Sequence, residues 1–335
     1  MFSMSGYSGY SGYSGYSGYS GYSGYSGYSG YSGYSGYAAA GAGSAQPMVA
    51  DALNKSRDGI YDEVISPGSW SAQWSPLKKW ATPATFPKIN DFPAALSKSN
   101  AVTRQYLYQV ELLGLTSFID TAATRSAKQQ SVSVGGGSLT LTQPDLATFI
   151  DQLADVQSWA HRRDERASEI LTQTVPQAQF WASVLELQAH SCPKTLELID
   201  CCLSYSMMVV MRFKAAFNCP RPSEYSPNIQ PMIAVPGFSA FPSGHATESR
   251  AFAELMIGLT GQTAPSELAT QLRRQADRIA ENREVAGVHF QIDSDEGKRL
   301  GAFLATQLLA LTPTQAPMFN WLKAQAQLEL EALGF

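Results

Sequence analysis

The sequence predicts a mostly α-helical protein: a bundle of long helices with one small β-hairpin, preceded by a disordered repeat. Three observations predict it. From residue 102 onward, apolar side chains recur at helical spacing, and prolines or Ser/Thr/Asp stand near the segment starts. One short stretch, 131–142 (SVSVGGGSLTLT), alternates on either side of three glycines and signals a hairpin. Residues 5–37 repeat Ser-Gly-Tyr eleven times without a charge or an aliphatic side chain.

The repeat cannot bury enough apolar surface to offset its ordering entropy. With the Ala/Gly-rich spacer that follows, it forms a low-complexity region over 1–46, expected to be disordered or to self-associate through tyrosine stacking and β-like contacts. Proline is absent from it, so it is not collagen-like. Residues 47–100 read as an irregular arm rich in proline and aromatics (Trp70, Trp74, Trp80, Phe86, Phe92). Residues 101–335 read as the helical domain. Its first helix is expected over 102–119, where Leu107, Val110, Leu112, Leu113 and Leu115 make a broad apolar face. The hairpin follows. A capping box at Thr142–Asp145, with proline in the first turn, is expected to start a helix running to about His161. Further helices are expected over 176–191, 193–217, 246–259, 265–285, 296–311 and 316–333.

The formal charge is −4 with both signs interspersed, which excludes the broad basic face of a nucleic-acid binder. The apolar run around 207–211 is cut by Arg212 and Lys214 and is too short to span a bilayer. The N-terminus has neither a positive region nor an apolar one of the secretory kind, so a cytoplasmic location is expected. Four cysteines (192, 201, 202, 219) lack the spacing of a zinc or redox motif and read as small buried residues. His161, in a charged stretch, and His190, at a helix end, read as structural.

Three segments carry chemistry. In KAAFNCPRP, Lys214 lies in the last turn of an apolar helix, and Arg221 is held between two prolines. Arginine clamps a tetrahedral oxyanion with two donors, whereas lysine is a point charge. The plainer reading is a lysine complementing the helix dipole and a surface arginine. In PSGH, Ser243 and Gly244 open a helix whose free N–H groups make an anion site, and His245 stands where it can pass a proton. A histidine at a helix start can also simply cap. In REVAGVHFQID, continuous helix would put Arg283 and His289 on different faces. Gly287 is expected to stop the helix and turn His289 back. Asp293 either fixes the His289 tautomer or caps a helix starting near Glu296, and one residue can do both. Neither key histidine has a second ligand at zinc or iron spacing.

Lysine, six residues, Arg-Pro; then Pro-Ser-Gly-His; then arginine, five residues, histidine, three residues, aspartate: this order resembles the type 2 phosphatidic acid phosphatase and vanadium-dependent haloperoxidase superfamily. The motifs cover Lys214 to Asp293, about a quarter of the chain. The resemblance implies a helical bundle that holds phosphate or vanadate. Lys214, Arg221, Arg283, Ser243 and the Gly244 amide would bind the oxygens, His245 would be the acid/base group, and His289 would bond to phosphorus or ligate the vanadium. In the haloperoxidase branch, hydrogen peroxide and halide are the partners. In the phosphatase branch, a small phosphate ester is hydrolysed through a phosphohistidine. The segment from Phe238 (FSAFPSGHAT) resembles the haloperoxidase version, which leads to a vanadate-dependent haloperoxidase-like enzyme as the first expectation and a soluble phosphatase as the second. Phe238 and Met211 are expected to line the halide or substrate pocket. Met211 stands where haloperoxidases often carry Trp or Arg. A non-enzymatic assembly protein built on the tyrosine repeat is the third.

Overall fold

The computed structural model describes residues 92–124, 127–174, 178–262 and 266–335. The tyrosine repeat, the spacer and most of the aromatic arm lie outside the described residues. The described residues belong to two compact units that meet in sequence between 102 and Thr103. The helices are α1 Phe92–Lys98, α2 Ala101–Gly114, α3 Leu146–Asp151, α4 Leu153–Ser158, α5 Arg163–Thr172, α6 Ala178–Leu185, α7 Pro193–Phe217, α8 Pro222–Tyr225, α9 Gly244–Leu259, α10 Glu267–Val285, α11 Gln291–Ala310 and α12 Pro317–Ala332. Strands β1 Thr116–Thr124, β2 Ala127–Val134 and β3 Gly137–Thr142 form one antiparallel sheet in the order β1-β2-β3. The fold is mostly α with this small sheet.

The expected hairpin is β2 and β3, with Val132, Val134 and Leu141 turned inward. Gly135 and Gly136 make the turn at φ +58° and +108°, a region that side chains avoid. The sheet has a third strand, however, because the helix expected over 102–119 ends at Gly114. Thr116 turns its hydroxyl back to the Leu112 carbonyl (2.7 Å), and Phe118 and Ile119 then pair with Val132 and Ser131. The helix expected over 142–161 is also corrected. Thr142 ends β3, and the cap is Asp145, whose carboxylate accepts from the Thr148 amide at 2.8 Å. That stretch breaks into α3, α4 and a 3₁₀ turn, Trp159–Arg162.

The charged stretch around His161 runs into α5, where Arg166 and Ile170 are buried against α10. The helix expected over 176–191 ends at Leu185, and α11 starts at Gln291 rather than near Glu296. α7 matches its expected bounds. Pro193 occupies its first turn, and the Glu329 carboxylate of α12 accepts from the Lys194 and Thr195 amides (2.9 and 2.7 Å). The four cysteines are free and buried. Among the described residues, no helix is long and apolar enough to cross a membrane.

Helix α9 is the hub and packs on α7, α10 and α11. Each of those three ends or begins beside its N-terminus, which is how segments far apart in sequence reach one place.

Candidate oxyanion site

The site begins where α7 stops. Asn218 takes a left-handed conformation (φ 52°) and its amide bonds the Lys214 carbonyl, closing the last turn. Lys214 is 1% exposed and donates to the Ser239 and Ala240 carbonyls (2.9 and 2.6 Å). Arg221, equally buried, donates to the carbonyls of Phe238 (3.0 Å), Ser239 (3.3 Å) and Val288 (2.9 Å). Both cations thus hold the 238–240 loop, and both lie 5.3 Å from the Phe238 ring centroid. Neither is the surface charge of the plainer reading. Met211 is half-buried one turn earlier on α7.

α9 opens at Ser243, whose hydroxyl accepts from the Ala246 amide at 3.4 Å. The next amides, of Gly244 and His245, stand at the positive end of a 16-residue helix. A Cβ on Gly244 would lie 4.0 Å from Lys214 Cε, so this backbone abuts the lysine stem. The Ser243 amide donates to the Asp293 carbonyl at 2.8 Å, which ties α9 to the third segment.

Gly287 ends α10 at φ +78°. Val288 N–H bonds the Arg283 carbonyl and Gly287 N–H the Glu284 carbonyl, the paired bonds of a Schellman motif. This turn brings His289 back. Its Nδ1 lies 2.9 Å from Asp293 Oδ2 and its Nε2 3.0 Å from the Arg221 guanidinium. Asp293 also accepts the Phe290 amide (3.0 Å) in the first turn of α11. It is not the expected cap before Glu296: it bonds back to the Phe290 amide from inside the first turn while its Oδ2 faces the His289 ring.

Gln173, just past α5, is the residue that the sequence did not reveal. Its carbonyl lies 2.9 Å from His245 Nε2, and its Oε1 accepts from Arg283 (3.0 Å) and Asn282 (3.0 Å). Arg283 also donates to the Ile170 carbonyl at 3.0 Å. The signal was faint: Arg166, Ile170 and Gln173 fall four and three apart, marking an inner face of a highly charged helix. Glu248 on α9 was missed as well. Burial raises its carboxyl to about 8, opposed by nearby Lys214, so it is mostly protonated at neutral pH.

A continuous set of contacts runs from Lys214 through Ser239, Arg221, His289, Asp293 and Ser243 to α9, and from His245 through Gln173 to Arg283. Burial dominates its electrostatics. Desolvation, and then Arg221, holds Lys214 well below the usual lysine range. Burial also drives His289 well below 6.5, reinforced by Arg221 and Lys214, so its imidazole is neutral. Asp293 accepts at Oδ2, which puts the His289 proton on Nδ1 and leaves the Nε2 lone pair toward Arg221. His245 is pushed down to about 3, first by burial and then by Arg283. Its Nε2 faces a carbonyl and must donate there. Asp293 is raised to about 6 by burial, against the pull of the Phe290 amide and the two cations, and is ionised at neutral pH. Arg221 and Arg283, lowered by burial only to about 10, stay charged and outweigh the one Asp293 carboxylate, so the site is net positive and favours an anion. Among the described residues, Arg283 Nε and Asp293 Oδ1 are buried without a partner. The arginine donor is the kind of orphan that an oxyanion fills.

Comparison with protein families gives no match, and comparison with curated proteins gives none either. Among solved structures, the chain is similar to a transmembrane PAP2-type phosphatidylglycerolphosphate phosphatase from Bacillus subtilis. Identity is 14% and the TM-score 0.29, over 65% of this chain and 88% of that one. So distant a likeness assigns neither family nor activity.

Proposed function

We propose that the chain is an enzyme that binds a tetrahedral oxyanion and bonds its central atom to His289, in the first instance a phosphatase acting through a phosphohistidine. The observation that carries this is the His289 geometry: Nδ1 held by Asp293, and an unprotonated Nε2 aimed at a buried guanidinium. Nε2 attacks phosphorus, the bond to the leaving oxygen breaks with its electron pair, and that oxygen takes a proton from His245. Water then attacks phosphorus, His245 takes its proton, and the P–N bond breaks back to neutral His289. Lys214, Arg221 and Arg283, with the Gly244 amide and the Ser243 hydroxyl, offset the charge that builds on the equatorial oxygens.

His245 can protonate a leaving group only if its pKa rises, and the bound anion supplies that rise. Without ligand it titrates at about 3, held down by burial and then by Arg283. A dianion opposes the cation effect. Inorganic phosphate is mostly the monoanion at pH 5.5 and releases a proton when bound as the dianion, so proton uptake by His245 should make the net release smaller than that conversion alone requires. Calorimetry in buffers of different ionisation enthalpy measures this uptake, and its absence would remove His245 from the anion's field.

A second reading is favoured by Phe238, whose ring lies against Lys214 and Arg221 and gives the cations an apolar wall. The same residues fit vanadate: His289 Nε2 as its ligand, the three cations on its oxygens. Bound there, vanadate would supply a Lewis acid for the oxidation of halide by peroxide. His245 would then accept a proton from peroxide. Purified protein should be assayed for aryl phosphate hydrolysis and, after vanadate loading, for bromination of a diketone with peroxide and bromide. Hydrolysis that vanadate merely inhibits supports the first reading, and bromination supports the second. Neither activity would leave the enzyme proposal without support.

A further inference from the structure

We infer that the Gln173 carboxamide is a further oxyanion-binding group, a neutral donor set between the acid/base histidine and the Arg283 clamp. The inference rests on the oxyanion reading above and adds a residue from outside its three segments. Gln173 is 0% exposed, and three of its atoms matter. Its carbonyl takes the His245 Nε2 proton. Its Oε1 accepts from both Arg283 and Asn282, and those two donors fix which way the amide faces. The flipped amide would set N–H against N–H. Nε2 is thus left with two N–H groups, and among the described residues it has no partner.

The neighbourhood is built to hold the amide still. Arg278 grips Glu169 with two bonds (2.8 and 2.6 Å), Glu169 accepts from Asn282 (2.9 Å), and Arg166 donates to Asn282 (3.0 Å) and Glu281 (3.0 Å). A side chain ordered this firmly would not keep an idle buried donor without a reason. Arg283 Nε, on the guanidinium that Gln173 holds, is also buried and without a partner among the described residues. Two orphan donors on directly bonded side chains, beside His245, call for one shared acceptor. An oxygen of the bound anion meets that need.

Inorganic phosphate is the probe, titrated calorimetrically into the full chain and two variants. Gln173→Glu keeps an acceptor for Arg283 and Asn282 but replaces the donor with a carboxylate oxygen. Gln173→Met removes both. Each is expected to bind phosphate about ten- to a hundredfold more weakly at pH 7.5. For Gln173→Glu the gap from the unmodified chain should narrow toward pH 5, since a protonated carboxyl donates again. Gln173→Glu binding phosphate as tightly as the parent at pH 7.5, despite its lost donor and added charge, overturns the inference. If Gln173→Met does not fold, the glutamate variant decides alone. Should the parent chain itself fail to bind phosphate and vanadate, the oxyanion reading falls and takes this inference with it.

Discussion

His289→Ala is expected to lower turnover by about 10³-fold or more in whichever of the two assays the parent chain is active, with the fold intact. The imidazole is the group placed to bond the central atom, with its unprotonated Nε2 3.0 Å from the Arg221 guanidinium. Its loss should not unfold the protein. Arg221 keeps its bonds to the Val288 and Phe238 carbonyls, and Asp293 keeps the Phe290 amide. The melting temperature should therefore move by only a few degrees. Free imidazole added to the variant should restore part of the rate by entering the space left behind, as a lost fold would not allow. His161→Ala is the control. That ring is exposed, bonds only the nearby Ser158 carbonyl, and should leave the rate near the parent value. Full activity in His289→Ala would end the covalent proposal, since the pocket would then act through charge alone.

How much of this was legible depended on whether a residue's role was local. Pro193 and the apolar stripe behind it announced α7, and Gly287 announced the turn that returns His289, because both act through their own backbone. The motif residues were legible for the same reason: each stands at a helix end or a forced turn. β1 was not. Its apolar residues continue the pattern of α2, and only Gly114 and the strand-favouring Thr116, Phe118 and Ile119 after it mark the change. α11 starts early because Asp293 caps backwards to Phe290 from inside the first turn, which spacing alone does not separate from a cap at its start. Gln173 was invisible because its partners, Asn282, Arg283 and His245, come from two other helices. A long-range hydrogen bond leaves no period in a sequence. The same holds for Arg166, whose burial depends on Asn282 and Glu281 across the α5–α10 contact.

Gly297→Ala should cost both stability and oxyanion affinity, because the packing that makes the core also sets the site. Gly297 and Gly301 lie one turn apart on α11 and face α9. A Cβ at Gly297 would meet the Ser243 carbonyl oxygen at 2.6 Å, and one at Gly301 the Thr247 carbonyl oxygen at 2.2 Å. Both obstacles are backbone and cannot swing aside, so the helices must part. Alanine favours a helix over glycine by about 1 kcal/mol, while forcing extra volume into a packed contact costs about 1–3 kcal/mol. Sterics should win, by more at Gly301 than at Gly297. Gly258 tests that logic on the same pair of helices, for its Cβ would meet the Leu309 side chain, which can turn away. Gly258→Ala should be neutral or slightly stabilising. The functional part of the prediction is specific to Gly297. Ser243 caps α9 and donates its amide to the Asp293 carbonyl at 2.8 Å, so lifting it moves this helix end, the proposed anion site, away from His289 and Asp293. Phosphate affinity in Gly297→Ala should fall about tenfold, a loss of about 1.4 kcal/mol. Thermal melts and phosphate titrations on the three alanine variants separate the effects. A Gly297→Ala protein that melts and binds like the parent would mean that α9 and α11 can part without disturbing the pocket, and that their close approach has no role in holding it.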